Sequence, residues 1–440
     1  MGGELLAVLM VVAFMTMLLA GFPVALSLAV SGLVFGYLGF GDMLFGLLPS
    51  RIYGVVTNYT LLAIPLFVFM GVMLEKSRIA DDMLDVVGHA MGGLRGGMGI
   101  AIVLVGVLMG ASTGIVGATV VTVGLLTLPV LVRRGYSNSV SCGTICASGT
   151  LGQILPPSLV LILLSDILGE SVGTLFAAAV FPGLLLAATY VIYLLALGRL
   201  RPESVPPVPW GERAEVSGGQ LALRLLKSVL PTIGLVVAVL GSIIGGVAAP
   251  TEAASMGAFG ALAIAGVAGR LSRQTMKETL HGTVMISAMV FFILICAQPF
   301  SLAFRGLGGE GLVERLFEWV PGGLYGDLLF MMLLLFVLGF FLEWIEISYI
   351  ALPLFLPIFQ AAGVDMVWLG MLVAMNLQTS FLTPPFGWAL FFLKGVVPEG
   401  VTTRDIYAGV LPFIALQAVA LAGVLAFPAM ATWLPEAIGW

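Results

Sequence analysis

Two runs of this sequence set glycine, amide and hydroxyl residues just ahead of a proline pair. The first is Gly149-Thr150-Leu151-Gly152-Gln153, leading to Pro156-Pro157, and the second is Asn376-Leu377-Gln378-Thr379-Ser380, leading to Thr383-Pro384-Pro385. Tandem prolines remove two backbone donors and clash with the preceding turn, so a helix entering either run must break. If the break lies inside a bilayer, its bare carbonyls and amides survive only when buried in protein or lining a cavity. Glycine lets such carbonyls turn inward and hydroxyls add neutral oxygens, a donor set suited to a hard monovalent cation.

The candidate sodium ligands in the first run are Gly149, Thr150, Gly152 and Pro156, and in the second Gln378, Thr379, Thr383 and Pro384. Two long apolar stretches are interrupted at Gly110-Ala111-Ser112-Thr113-Gly114 and at Gly339-Phe340-Phe341-Leu342-Glu343, which adds Ser112, Thr113 and Gly339. Asn376 and Ser380 are candidates for substrate or coupling contacts, as are Glu343 and Glu346. An ionisable group at mid-bilayer costs about 2.5–3.5 kcal/mol on insertion scales, so it usually faces a cavity. Each residue also has a plainer role open to it, since small and hydroxyl residues in membrane helices often permit close packing or bond their own backbone. Glu252, three residues into Ala249-Pro250-Thr251-Glu252, reads as a first-turn acid at a helix terminus.

The elements that must carry these residues are membrane helices. Of 440 residues, 60% are apolar and 9% charged, and the mean hydropathy is +1.15. Such a chain cannot solvate its surface in water, and its solvent is a lipid bilayer. Cys142, Cys146 and Cys296 offer no disulfide or metal spacing, and His89 and His281 stand far apart, so no transition metal and no cofactor are expected. Leu5–Ala20 has no basic leader and no cleavage site, and reads as a retained helix. Nucleic acid is not an expected partner.

The sequence also contains itself twice, at an offset of 228 residues: Leu128–Tyr136 lies over Leu356–Val364, and Pro156-Pro157 over Pro384-Pro385. Paired, Gly/Pro-interrupted segments in two halves point to a transporter binding site. The expected fold is an all-α polytopic membrane protein of two inverted repeats, each with a re-entrant helical hairpin and a broken Pro-Pro helix. Residues 1–198 form the first repeat, with scaffold helices in 1–75, a hairpin at 98–132, a broken helix at 138–168 and a helix at 172–198. Residues 199–227, rich in proline and charge, are expected to be a solvated linker. Residues 228–440 form the second repeat, with scaffold helices in 228–269, a helix at 282–304, a hairpin at 327–361, a broken helix at 366–397 and a helix at 405–434. Mixed-polarity stretches 42–57 and 270–281 read as interfacial helices or arms.

Five crossings plus one hairpin per half is an odd count, so the two halves must point in opposite directions. With both termini outside, fifteen Lys and Arg fall on the cytoplasmic side with the linker, and only Arg51, Arg305 and Arg315 fall opposite. That bias obeys the positive-inside rule. Arg133-Arg134 closes the first hairpin where Ala361-Ala362 closes the second, as oppositely facing copies require.

An intramembrane enzyme is the rival from another class. Gly39-Phe40-Gly41-Asp42 fits a G-x-G-D protease pattern, yet no second aspartate falls within a span to face Asp42, and there is no H-E-x-x-H or G-x-S-G.

The chain resembles the large permease subunit of tripartite ATP-independent periplasmic (TRAP) transporters. The match is carried by G-A-S-T-G at Gly110–Gly114, R-R-G-Y at Arg133–Tyr136, G-T-L-G-Q-I-L-P-P-S at Gly149–Ser158, P-T-E-A-A at Pro250–Ala254 and N-L-Q-T-S-F-L-T-P-P-F-G at Asn376–Gly387. F-L-E-W-I-E-I-S at Phe341–Ser348 is most similar to the organic-acid and 2-oxo-acid branch, which includes mannitol- and chloroaromatic-type members. The resemblance implies sodium-coupled import of a small carboxylate through a bacterial inner membrane by an elevator motion. It also implies a small membrane subunit (Q-type) and a periplasmic substrate-binding protein (P-type), with both termini periplasmic and the linker cytoplasmic. A channel or a stand-alone sodium/anion symporter of related inverted-hairpin fold are the alternatives.

Overall fold

The computed structural model describes residues 2–113, 116–209 and 218–440; the side chains of residues 111–113 lie outside the description. The described chain is helical, with no strand. In the first half, α1 (Gly2–Leu19), α2 (Val24–Phe40), α3 (Met43–Val56), α4 (Ala63–Lys76) and α5 (Ile79–Met91) precede the hairpin α6 (Gly97–Thr113) and α7 (Val116–Arg133). The first proline pair separates α8 (Asn138–Leu151) from α9 (Leu159–Leu168), and α10 (Val172–Leu200) closes the half. The second half repeats the order with α11 (Gly218–Ile244), α12 (Pro250–Val267), α13 (Arg273–Gly306), α14 (Gly309–Glu318), α15 (Gly323–Leu338) and α16 (Trp344–Ala361). Its broken helix is α17 (Met366–Leu382) and α18 (Trp388–Lys394), followed by α19 (Thr403–Ala426) and α20 (Ala429–Ala437). The offset of 228 persists in the elements: α7 and α16 start at 116 and 344, and α8 and α17 at 138 and 366.

Among the described residues, seven helices are long and apolar enough to cross a membrane, or eight if the bent pair α3–α4 is one span. Their outward faces are apolar. Val419 of α19 is 69% exposed, Ile192 of α10 63% and Val237 of α11 61%, a surface suited to lipid tails and not to water. In α1 only Ala7, Met10 and Phe14 are buried, one narrow helical stripe flanked by half-buried Leu6, Val11, Met15 and Leu18, and the opposite face is exposed.

Where helices meet inside, glycine sets the approach. A Cβ at Gly32 of α2 would lie 2.3 Å from Phe300 N of α13, and one at Gly143 of α8 would lie 2.0 Å from Gly409 O of α19. Only a residue without a side chain permits backbones so close. These two crossings anchor two groups of helices. The first is α1–α4 with α11–α13, and the second α6–α10 with α15–α20, with α5 lying between α6 and α11.

Four sequence expectations change. Residues 199–227 are not a free solvated connector. Leu200 still belongs to α10, and Val205 and Val208 are buried, with Val205 O accepting from Gly96 N, Val208 N donating to Gly92 O and Ser204 O accepting from Ser137 N. The segment thereby ties the two ends of the first hairpin, because extended residues beside a glycine turn can satisfy its backbone. Residues 210–217 lie outside the description, and α11 starts at Gly218, ten positions before the expected 228.

The arm at 270–281 and the helix at 282–304 are one 34-residue helix, α13. In the first half the matching stretch is bent by 52° between α3 and α4, because the Asn58 side chain accepts from Thr60 N and offers the backbone an alternative to the helix. The matching residues in α13, Met285 and Ile286, have no such side chain. Finally, the helix expected over 405–434 ends at Ala426, since Pro428 has no N–H to continue it, and α20 sets off separately.

Candidate functional site

Both proline pairs break their helices, and both peptide bonds, Pro156-Pro157 and Pro384-Pro385, are cis. At the first break the chain tightens before it stops, with Gln153 N donating to Thr150 O and Ile154 N to Leu151 O. Pro156 and Pro157 then deny an i+4 donor to the carbonyls of Gly152 and Gln153. Ser158 repairs half of this. Its hydroxyl donates to Gln153 O at 2.5 Å and accepts from Val160 N at 3.2 Å, capping α9. Gly152 O receives no donor among the described residues.

Gly152 sits at this spot because α6 leaves room for nothing larger. A Cβ on Gly152 would fall 2.3 Å from Gly110 Cα, and one turn earlier a Cβ on Gly106 would fall 2.7 Å from Ser148 Cβ. Gly149 presses against Val120 of α7 in the same way. Residues 151–160 are all buried. Gln153 is 1% exposed, and neither its Oε1 nor its Nε2 has a partner among the described residues. A buried amide left so is costly, and aims at something it is built to meet.

At the second break Thr383 N donates to Ser380 O, and Pro385 leaves Phe381 O without an i+4 donor; no other donor reaches it among the described residues. Thr379 Oγ1 donates to Met375 O at 2.9 Å and Thr383 Oγ1 to Thr379 O at 2.7 Å. Thr150 does the same toward Ala147 O. These are the back-bonds that the plainer reading foresaw, and they fix the hydroxyls so that the oxygen lone pairs point away from the helix. Gln378 is fully buried, with both amide atoms unpartnered. Unlike the first break, this one reaches the surface: Pro385 and Phe386 are exposed and Thr383 is half-buried.

Asn376 and Ser380 meet the second hairpin. Asn376 Nδ2 donates to Met332 O at 2.7 Å and Ser380 Oγ to Phe336 O at 2.8 Å, two rungs one turn apart on both α17 and α15. Phe336 O needs that donor, because α15 ends at Leu338 and Phe340 N turns instead to Val337 O. Gly339 lies beside this rung, where a Cβ would come 2.3 Å from Ser380 Oγ.

Glu343 stands at the N-terminus of α16 and is half-buried; Glu346, one turn on, is 2% exposed with Oε2 unpartnered. No ion pair reaches either among the described residues. A wide π-turn, Ile347–Ala351, follows them and holds Ser348, fully buried with its hydroxyl unpartnered. The side chains of Ser112 and Thr113 lie outside the described residues. Glu252 has the helix-terminus role expected of it, accepting from Ala249 N at 2.9 Å.

The two halves close over each other's breaks. Gly117 and Gly124 of α7 pack on Phe392 and Leu393 of α18, while α16 packs on α9. α8 also touches α17 directly, so the two break regions belong to one core. Gln153 and Ser348 were legible only as members of longer motifs. The signal that singles them out is burial without a partner, which a sequence does not display.

The model of the tripartite ATP-independent periplasmic transporter family, DctM component, matches residues 11–430. The chain belongs to this family. The permease is 31% identical over 398 residues to the C4-dicarboxylate TRAP transporter large permease protein DctM of Pseudomonas aeruginosa, covering 89% of this chain and 90% of that one. It is 28% identical to the protein of the same name from Vibrio cholerae over 95% of each chain. Its fold is shared with the Alcanivorax borkumensis YdaH transporter, whose crystal structure was described as having an unusual topology, at a TM-score of 0.60, 15% identity and 98% coverage of both chains. The permease is thus a multi-pass membrane transporter component and not an enzyme.

Proposed function

We propose that the permease imports a small organic acid together with sodium through the bacterial inner membrane, receiving its substrate from a periplasmic binding protein and braced by a small membrane subunit. One observation carries the sodium reading. Among the described residues, each break leaves a backbone carbonyl without a donor, Gly152 O and Phe381 O, in a segment that also holds a buried, unpartnered glutamine amide, Gln153 and Gln378. Bare carbonyls and back-bonded threonine oxygens offer partial negative charge and no full charge, which suits a cation that must bind and leave. The acidic class of the substrate rests on the relatives named for C4-dicarboxylates.

The crosswise cover of the two breaks supports a pair of repeats related by a pseudo-two-fold axis, and the charge bias supports their inversion, with the termini periplasmic. In this reading α6–α10 and α15–α20 form the mobile unit of an elevator, and α1–α4 with α11–α13 its scaffold.

The test is uptake into vesicles holding the permease and its small subunit, with binding protein outside. Thr379→Ala and Thr383→Ala should each raise the sodium concentration giving half-maximal uptake several-fold while folded protein is unchanged, since each removes one ligand oxygen. An unaltered sodium dependence in both would take these residues out of the site. Full uptake without binding protein would instead favour a stand-alone symporter.

A further inference from the structure

Asp166 lies near the end of α9, on a helix that is otherwise apolar from Leu159 to Leu164. Its two carboxylate oxygens each receive a donor from a different element. Asn58 Nδ2 donates to Oδ1 at 2.6 Å and the Tyr349 hydroxyl to Oδ2 at 2.7 Å. Tyr349 belongs to the π-turn of the second hairpin, so the Asp166–Tyr349 bond lies inside the group α6–α10 with α15–α20. Asn58 belongs to the other group, in the bend between α3 and α4. Its orientation is fixed, because Oδ1 already accepts from Thr60 N at 3.0 Å and only Nδ2 is left to reach across.

We propose that Asn58, Asp166 and Tyr349 form a latch that holds the mobile unit against the scaffold in one of the carrier's two end states. The proposal rests on the carrier reading above. Three observations carry it. The Asn58–Asp166 bond crosses between the two groups of helices, so any sliding of one past the other must break it. A cavity of about 490 Å³, lined by Ser165, Asp166 and Glu170 on one side and Thr60, Ala249 and Pro250 on the other, adjoins the bond, so the two groups are not tightly packed there. Third, the latch exists once. The positions matching Asn58, Asp166 and Tyr349 in the duplicate are Ile286, Lys394 and Val121, which cannot make these bonds.

The third point gives the latch its consequence. A carrier of two repeats reaches its opposite state by exchanging the conformations of its halves. If the halves were identical the two states would tend toward equal energy, whereas a contact made by one half alone tilts the balance. A hydrogen bond to a charged group that opens on passage to the other state shifts that balance by roughly tenfold or more.

The test uses the full-length permease in bilayers, with its three cysteines replaced and spin labels at Tyr53 and Glu399, one on each group, reporting the distance distribution. Asn58→Asp retains the oxygen that holds Thr60 N and turns the donor into a carboxylate facing Asp166. Its expected result is a tenfold or larger shift from the distance of this state toward a second one. Asn58→Asp with Asp166→Asn restores the bond with donor and acceptor exchanged, and should return the distribution to that of the unaltered protein, which a general loss of stability would not do. Two distances whose proportions are the same in Asn58→Asp and in the unaltered protein overturn the latch and leave the carrier standing. A single distance in every variant, with sodium and binding protein present, overturns the moving carrier itself.

Discussion

The two junctions between hairpin and broken helix solve one packing problem in different ways. In the first half α6 and α8 touch backbone to backbone through Gly110 and Gly152, with no side chain between them. In the second half α15 and α17 stand further apart, and Asn376 and Ser380 fill the gap with hydrogen bonds to Met332 O and Phe336 O. By the same offset Gly152 of the first copy corresponds to Ser380 of the second and Gly110 to Leu338, so both glycines of the steric contact are replaced where the polar one forms. A glycine contact gains dispersion and close approach but tolerates no side chain at all. A polar rung tolerates rearrangement, since hydrogen bonds between membrane helices are worth only about 0.6–2 kcal/mol each. The first break is wholly buried and the second reaches the surface, which matches a stiff junction in one half and a looser one in the other.

The sharpest way to break this contrast is Gly152→Val. Its branched side chain would have to occupy the space of the Gly110 backbone, which cannot swing aside, and loss of folded, transporting permease is expected, read as detergent-stable yield and vesicle uptake. A smaller effect follows from removing the rungs. Asn376→Ala and Ser380→Ala should each destabilise by about 1–2 kcal/mol in a reversible unfolding titration, with Asn376 the greater because Met332 O and the cavity left behind both count. Gly339→Ala should cost less when combined with Ser380→Gly than alone, since its neighbour is a side-chain hydroxyl and not backbone. Equal losses at Gly152 and at Ser380 would dissolve the distinction.

The smallest effect concerns the helices that follow the breaks. α10 starts at a neutral cap, Ser171 with Thr174, whereas α19 starts at a charged one, where Thr402 and Asp405 bond reciprocally. Thr402→Ala should speed amide exchange in the first turn of α19 at neutral pH, with a loss of about 1 kcal/mol.

Much of this was legible in the sequence because proline and glycine act locally. Both helix breaks, both hairpins and the places where α7, α8, α16 and α17 begin follow from which residues lack a donor or a side chain. Contacts decided by a partner's backbone were not legible. Asn376 and Ser380 read equally well as ligands until Met332 O and Phe336 O stand opposite them, and Asp166 read only as an acid near a helix end. The arm at 42–57 was legible from its polarity, but the continuity of α13 where its counterpart bends turns on one side chain competing for one N–H, an effect too small to survive averaging over a hydropathy window. Val205 and Val208 were hidden by the prolines and charges around them.

The reciprocal cover of α7 over α18 and of α16 over α9 has an evolutionary corollary. Each interruption is covered on one side by its own hairpin and on another by the opposite copy, so a lone ancestral unit would have left part of that site open to lipid. A second molecule would have had to supply the rest, and a chain holding both copies carries that cover within itself.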